Sequence, residues 1–394
     1  MLIKNVNIYT EEHEFLPGTI QIVNGVIQKV NLSAENDAIL ADETVIDGNN
    51  AYAIPGMIDI HFHGCKGYDF CDGTREAFDE IAKYEASIGV TAIAPATMTL
   101  PVAELENILA EAATYKKEQE VSEENYTRAD LVGINMEGPF ISKVKKGAQN
   151  QKHIIPCDTA TFRKFQIAAE GLVKFIGIAP EEGNAVEFTR DVKDSVNVSL
   201  AHTNADYDSA KEAFQVGANH VVHMYNAMPE YNHRAPGVIG AVFDSNHVTA
   251  ELICDGIHIH PSVVRATFKM LGKERIIMIS DSIRATGMND GVYTLGGLDV
   301  EVKGNCAILI SEGVMAGSVT TLPDCMRFAA KEIGIPMETV VACVSENPAK
   351  RLGIFHKYGS ISEGKRGNIV LLDKELKLIS VIKDGISLDK WNHR

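Results

Sequence analysis

Between Ile54 and Gly359 short apolar runs alternate with amphipathic stretches, and few architectures accept that pattern. The candidate strands are Met57–Phe62, Thr91–Ala96, Leu131–Met136, Val173–Ala179, Val196–Ala201, His220–His223, Val248–Cys254 and Ile276–Ser280. Helical periodicity separates most of them, as in Glu76–Ser87, Leu105–Tyr115, Thr159–Glu170 and Tyr207–Val216. Eight buried strands alternating with helices over about 300 residues predict a (β/α)8 TIM-like barrel. A doubly wound open sheet stays open on periodicity alone. One β-rich insertion, roughly residues 291–315, follows the eighth strand.

The two ends read differently. Ile20–Val23 and Val26–Val30 flank Asn24-Gly25, a strong hairpin signal. Short strands return at Asn368–Leu372 and Leu378–Ile382, followed by Asp384-Gly385. Each fragment is too small to bury a core alone, so both are expected in one small β-sandwich domain. Residues 1–54 plus 360–394 would form it, and residues 55–359 the barrel.

The 53 acidic and 37 basic residues leave a net charge of −16. No basic run offers a nucleic-acid surface. Lys143, Lys145 and Lys146, the densest basic cluster, read as a solvated loop. No segment approaches the ~18 apolar residues of a membrane helix, and the N-terminus lacks a signal-peptide pattern. The seven cysteines have no CxxC spacing and read as reduced thiols, so a soluble cytoplasmic protein is expected. Cys65 and Cys71, near the first strand, are read as packing residues.

Histidine is the informative residue. Seven of the 13 lie between His202 and His260. His61 and His63 close the first strand, Glu137 the third, His202 the fifth, His223 the sixth and Asp281 the eighth. Residues at the C-terminal strand ends of a barrel converge on one face, where active sites are built. Histidines one residue apart point the same way along a strand, so His61 and His63 can reach one ion. A second HxH, His258-Ile259-His260, is not assigned to metal, and His13, His153, His220, His247, His356 and His393 read as structural. The combination predicts a metal site. Imidazole and carboxylate without thiolate suit Zn²⁺ or Fe²⁺ first, with Mn²⁺ or Co²⁺ also compatible. Such a centre supplies hydroxide at neutral pH, and Asp281 is the candidate to carry the proton. Its competing reading is a helix N-cap.

Pro55-Gly56-Met57-Ile58-Asp59-Ile60-His61-Phe62-His63 resembles the first-strand signature of the amidohydrolase superfamily. Glu137-Gly138-Pro139-Phe140, Leu200-Ala201-His202-Thr203-Asn204-Ala205 and His223-Met224-Tyr225-Asn226-Ala227-Met228-Pro229 narrow it to the branch that deacetylates hexosamine 6-phosphates. Asp255-Gly256-Ile257-His258, Gly317-Ser318 and Gly364-Lys365-Arg366-Gly367-Asn368-Ile369 extend the likeness over almost the whole chain. The resemblance implies a metal-dependent hydrolase that converts N-acetyl-D-glucosamine 6-phosphate to D-glucosamine 6-phosphate and acetate in amino-sugar catabolism. It implies that Glu137, His202 and His223 hold the principal metal. His61 and His63 would hold a second, with Glu137 bridging, and Asp281 would serve as general base and then general acid.

The resemblance also implies phosphate contacts from Arg234, His258, Asn226 and the backbone at Ala227, with Arg234 supplied by the neighbouring subunit of a homodimer. Gln149 stands where some members carry a histidine that bonds the substrate carbonyl. A glutamine NH₂ can donate that bond but cannot titrate. Three other readings compete. The galactosamine epimer shares both the acetamide and the phosphate. A cyclic-amide hydrolase would place a carboxylated lysine after the fourth strand, where Ala179-Pro180-Glu181 stands and Lys174 lies at the wrong end. A non-catalytic assembly protein on the same fold would have lost ligands that this chain keeps.

Overall fold

The computed structural model describes residues 1–32 and 44–388. Its parallel strands are Met57–Asp59, Val90–Ile93 with Ala96–Thr97, Asp130–Leu131 with Ile134–Phe140, Val173–Ile178, Asn197–Leu200, His220–Val221, Thr249–Ile253 and Ile276–Ile279. Each pairs in parallel with the next, the second and third in two pieces. The second breaks at Pro95, which has no N–H for the ladder. The ring closes through the backbone. Asp281 N–H donates to the His61 carbonyl at 3.0 Å, and His63 N–H to the Ser282 carbonyl at 2.7 Å. Closure excludes the open sheet.

Helices cover the outside of this ring. Thr74, Asp158 and Asp206 cap Arg75–Ser87, Thr159–Ala168 and Tyr207–Val216 by accepting a backbone N–H in the first turn. His260 does the same for Pro261–Leu271, which accounts for one histidine of the second HxH. Phe78, Phe162, Phe165, Phe188 and Phe214 seal the layer between helices and strands. No helix among the described residues is long and apolar enough to cross a membrane.

Both chain ends join one seven-stranded sheet, in the order Ile386–Ser387, Leu378–Lys383, Ile369–Leu372, Val45–Pro55, Leu2–Tyr9, Phe15–Val23, Val26–Asn31. The two layers of the expected sandwich are one continuous sheet curled over. The Asn24-Gly25 hairpin returns to the stretch before Ile369, where Gly367 N–H donates to the Gly25 carbonyl at 2.7 Å. Ile3, Val6, Ile8, Ile20, Ile22, Ile369, Leu371 and Ile382 fill the fold of the sheet. Residues 389–394, His393 among them, lie outside the described residues.

The insertion is a three-stranded antiparallel sheet, Gly291–Leu295, Leu298–Lys303 and Cys306–Leu309. Its Leu295, Val300, Val302 and Leu309 pack with Met98, Ala148 and Ile283, so it stands against the loops at the C-terminal mouth of the barrel.

Candidate metal centre

The six strand-end residues meet in one cluster. His202, His223 and Asp281 each lie two residues past a strand end, with φ of 43°, 26° and 51°. Left-handed backbone at a non-glycine residue costs on the order of 1–3 kcal/mol and persists where the surroundings over-determine it. Here it marks three of the residues that converge at the barrel mouth. Beside Glu137, Gly138 has φ +121°, and an added Cβ would lie 2.3 Å from Thr99 Oγ1, so only glycine fits.

Glu137 is the hub. Its Oε1 lies 2.7 Å from His223 Nε2, 2.9 Å from His202 Nε2 and 3.4 Å from His61 Nε2, while Oε2 is 3.4 Å from His63 Nε2. Asp281 Oδ1 faces the same pair, 3.4 Å from His63 Nε2 and 3.7 Å from His61 Nε2. Burial works to raise the Glu137 pKa, but the charges of His202 and His61 and hydrogen bonds from His202 and His223 hold it well below the carboxylate range. Burial likewise opposes ionisation of Asp281, and the His63 bond with the histidine charges outweighs it. His63 is pulled down by burial and lifted to about 10 by Asp281 and Glu137.

This donor set fits a divalent cation. Ligand atoms of His61, His63 and Asp281, and of His61, Glu137 and His223, all lie within 4.8 Å of one another. His61 Nε2 is buried without any hydrogen-bond partner. An imidazole nitrogen left bare among carboxylates is what a cation would claim. Asp281 lies in a loop after the eighth strand, not at a helix start, so the N-cap reading falls away.

A cavity of about 390 Å³ opens over the cluster. His63, Glu137, His202, His223 and Asp281 line one part of it; Asn226, Ala227 and His258 also line it. His258 Nδ1 is held at 2.7 Å by Asp255 Oδ2, which leaves Nε2 as the remaining polar atom of its ring. The Asn226 amide donates to the His223 carbonyl at 3.3 Å. Gln149 is fixed at both ends: Thr99 N–H donates to its Oε1 at 2.7 Å, and its Nε2 donates to Glu137 Oε2 at 2.6 Å.

One expectation changes. Lys143, Lys145 and Lys146 do not form a merely solvated loop, because all three line the cavity, and Lys146 Nζ reaches Glu312 Oε1 of the insertion at 2.6 Å. Arg234 is absent from the cavity lining of its own chain; it is exposed in a loop where its N–H donates to Asn232 Oδ1. Cys65 is buried away from the cavity, and Cys71 accepts a bond from Met98 N–H, as packing residues do.

Sequence reasoning missed Glu251 and Asn135, which hold the cluster from behind, and the hold of Asp255 on His258. His61 Nδ1 lies 2.8 Å from Glu251 Oε2, and His220, expected to be structural, sits 3.0 Å from Glu251 Oε1. Burial tends to raise the Glu251 pKa, but His61 and His220 hold it well below the carboxylate range. One signal was present: an acid in the middle of the apolar run Val248–Cys254, where a parallel strand is buried on both faces.

A closed barrel with a histidine–carboxylate centre at its C-terminal mouth defines a metal-dependent hydrolase of the amidohydrolase type. The amidohydrolase family profile matches residues 52–390, and the chain belongs to that family. It is 36% identical to the N-acetylglucosamine-6-phosphate deacetylase of Bacillus subtilis (strain 168), over 98% of this chain and 96% of that protein. It is 31% identical to an N-acetylgalactosamine-6-phosphate deacetylase of Escherichia coli O157:H7, over 82% of this chain and 84% of that one. The Mycobacterium smegmatis N-acetyl-D-glucosamine-6-phosphate deacetylase, solved in complex with N-acetyl-D-glucosamine-6-phosphate, superposes with a TM-score of 0.89. That match covers 98% of both chains at 28% identity.

Proposed function

We propose that this chain hydrolyses the acetamide of N-acetyl-D-glucosamine 6-phosphate to D-glucosamine 6-phosphate and acetate. The observation that carries the reading is one cavity lined both by His63, Glu137, His202, His223 and Asp281 of the cluster and by Asn226, Ala227 and the Asp255-held His258. A divalent cation, Zn²⁺ or Fe²⁺ foremost, would be held by Glu137, His202 and His223, with His61 and His63 available for a second ion. It would supply Lewis acidity and hydroxide at neutral pH.

The remaining work falls to this chain's own groups. Asp281, ionised and facing the His61–His63 pair, takes the proton of the attacking water and returns it to the departing amine. Gln149 gives one amide hydrogen to Glu137. The other has only the Met98 sulfur at 3.7 Å and is the donor we assign to the acyl oxygen. His258, Asn226 and the Ala227 backbone take the phosphate. Arg234, exposed and outside its own cavity, would reach the phosphate of the neighbouring subunit in a homodimer. The free cysteines fit a cytoplasmic enzyme.

The epimeric reading, hydrolysis of N-acetylgalactosamine 6-phosphate, is favoured by the Escherichia coli relative. Acetate release from the two phosphorylated epimers and from unphosphorylated N-acetylglucosamine separates them. Preference for the glucosamine substrate, abolished by chelation, is expected. Preference for the epimer would move the substrate and keep the chemistry, and equal activity without phosphate would overturn the roles of His258 and Arg234.

A further inference from the structure

Glu251 sits in the seventh barrel strand, fully enclosed and outside the cavity lining. Oε2 accepts His61 Nδ1–H at 2.8 Å and the His223 backbone N–H at 3.0 Å. Oε1 accepts from His220 Nε2 at 3.0 Å and from the Asn135 amide at 3.2 Å. A carboxylate has about four acceptor positions, so this one is filled by donors from three other strands.

An ion at this depth is costly and the interior of a barrel could be filled by an aliphatic side chain instead. What the carboxylate adds is direction. Its oxygens only accept, so His61 keeps a proton on Nδ1, and Nε2 is the nitrogen turned towards Glu137 and Asp281. His63 has no such anchor, since its Nδ1 is buried without a partner. One ring of the pair is therefore oriented from below, and the other is left to the cation and its carboxylates.

We propose that Glu251 is a positioning residue for a second divalent ion: by holding His61 Nδ1–H it fixes the tautomer and ring orientation with which His61 offers Nε2. This rests on the metal reading of the site given above. Loss of an anchoring carboxylate behind a ligating histidine lowers metal affinity by about 10- to 100-fold. Here that loss falls mainly on the His61–His63 ion, because Glu251 holds the His61 ring itself; of Glu137, His202 and His223 it touches only the His223 main-chain N–H, and their ligand atoms are not bonded to it.

The test is Zn²⁺ titration of the full-length protein against a chelator, with metal counted by mass spectrometry. Wild type is expected to take two equivalents, and E251Q to bind the second about 10- to 100-fold more weakly. H220Q disturbs the same buried cluster without touching His61, so it should lower the melting temperature yet keep the second equivalent. E251Q with wild-type affinity for the second ion would overturn the proposal, as would equal loss in H220Q. If E251Q does not fold, the ¹⁵N-histidine spectrum of zinc-loaded wild type decides, with His61 assigned by its absence in H61N. The Nδ1–H tautomer is expected and the Nε2–H tautomer overturns the proposal. Wild type that binds no divalent metal would overturn the underlying reading of the site, a failure distinct from that of Glu251.

Discussion

Glu137 receives three histidine contacts on one oxygen and the Gln149 amide and His63 on the other, so no neighbour of it can change silently. Asp281 is ionised in these surroundings and holds its place by a main-chain bond to His61. Asp281→Asn keeps the volume and removes the proposed proton carrier. We expect metal content close to wild type and kcat lower by about 10²–10⁴ in acetate-release assays. Turnover at the parental rate would show that another group moves the proton. Gln149→Leu removes the proposed oxyanion donor without adding charge, and kcat should fall by about 10²–10³ with metal content retained. Both residue types were legible in the sequence; that Gln149 is clamped between Thr99 and Glu137 was not.

At the scale of elements, the apolar runs predict the barrel strands to within a few residues, because a strand buried on both faces must be apolar throughout. The insertion is legible for the same reason, by its alternation. Its position over the mouth is not, since that depends on Leu295 and Val300 meeting Met98 and Ala148 from distant loops. There Glu312 and Lys146 join the insertion to the basic loop, with side chains 45% and 16% exposed. A pair so open to solvent contributes about 0.2–1 kcal/mol. Glu312→Ala should therefore raise KM by no more than about fivefold. Glu312→Lys, which sets cation against cation at the mouth, should raise it further, with metal content unchanged. Steady-state kinetics on the two variants checks this, and a wild-type KM in Glu312→Lys would show that the two loops do not act together.

At the scale of the molecule, a buried ionic cluster ties the curled terminal sheet to the barrel. Lys383, fully buried, lies 3.0 Å from Asp130 Oδ1 at the start of the third barrel strand and 3.1 Å from Asp384 Oδ2. Arg366 pairs with Asp384 and approaches Asp130 Oδ2 at 3.4 Å, and the Tyr358 hydroxyl donates to Asp130 at 3.0 Å. Removing one partner of a buried pair costs about 3–5 kcal/mol because the other is left uncompensated. Lys383→Met should destabilise by about that much in denaturant unfolding, while leaving the metal cluster's residues untouched. Burial opposes ionisation of Asp384, but Arg366 and Lys383 hold its pKa below the usual value. A depressed carboxyl stabilises the fold above its unfolded pKa of about 3.9, and that contribution is lost as pH falls through the folded value. Asp384→Asn should thus lose less stability between pH 7 and pH 3 than wild type does. An equal loss would place the acid sensitivity elsewhere.

The sequence by itself determined which elements form and which residue types stand at their ends, because helix and strand periods and strand-end position are local properties of the chain. Tertiary structure alone decided which of the histidines meet in one cluster. His61 and Glu251 are 190 residues apart and leave no joint mark in the sequence, yet their bond orients the site. The same holds for the basic loop drawn onto the cavity wall and for Arg234 lying outside the lining of its own cavity. Convergence depends on how the ring closes between the eighth strand and the first, and that closure is made by backbone groups every residue possesses.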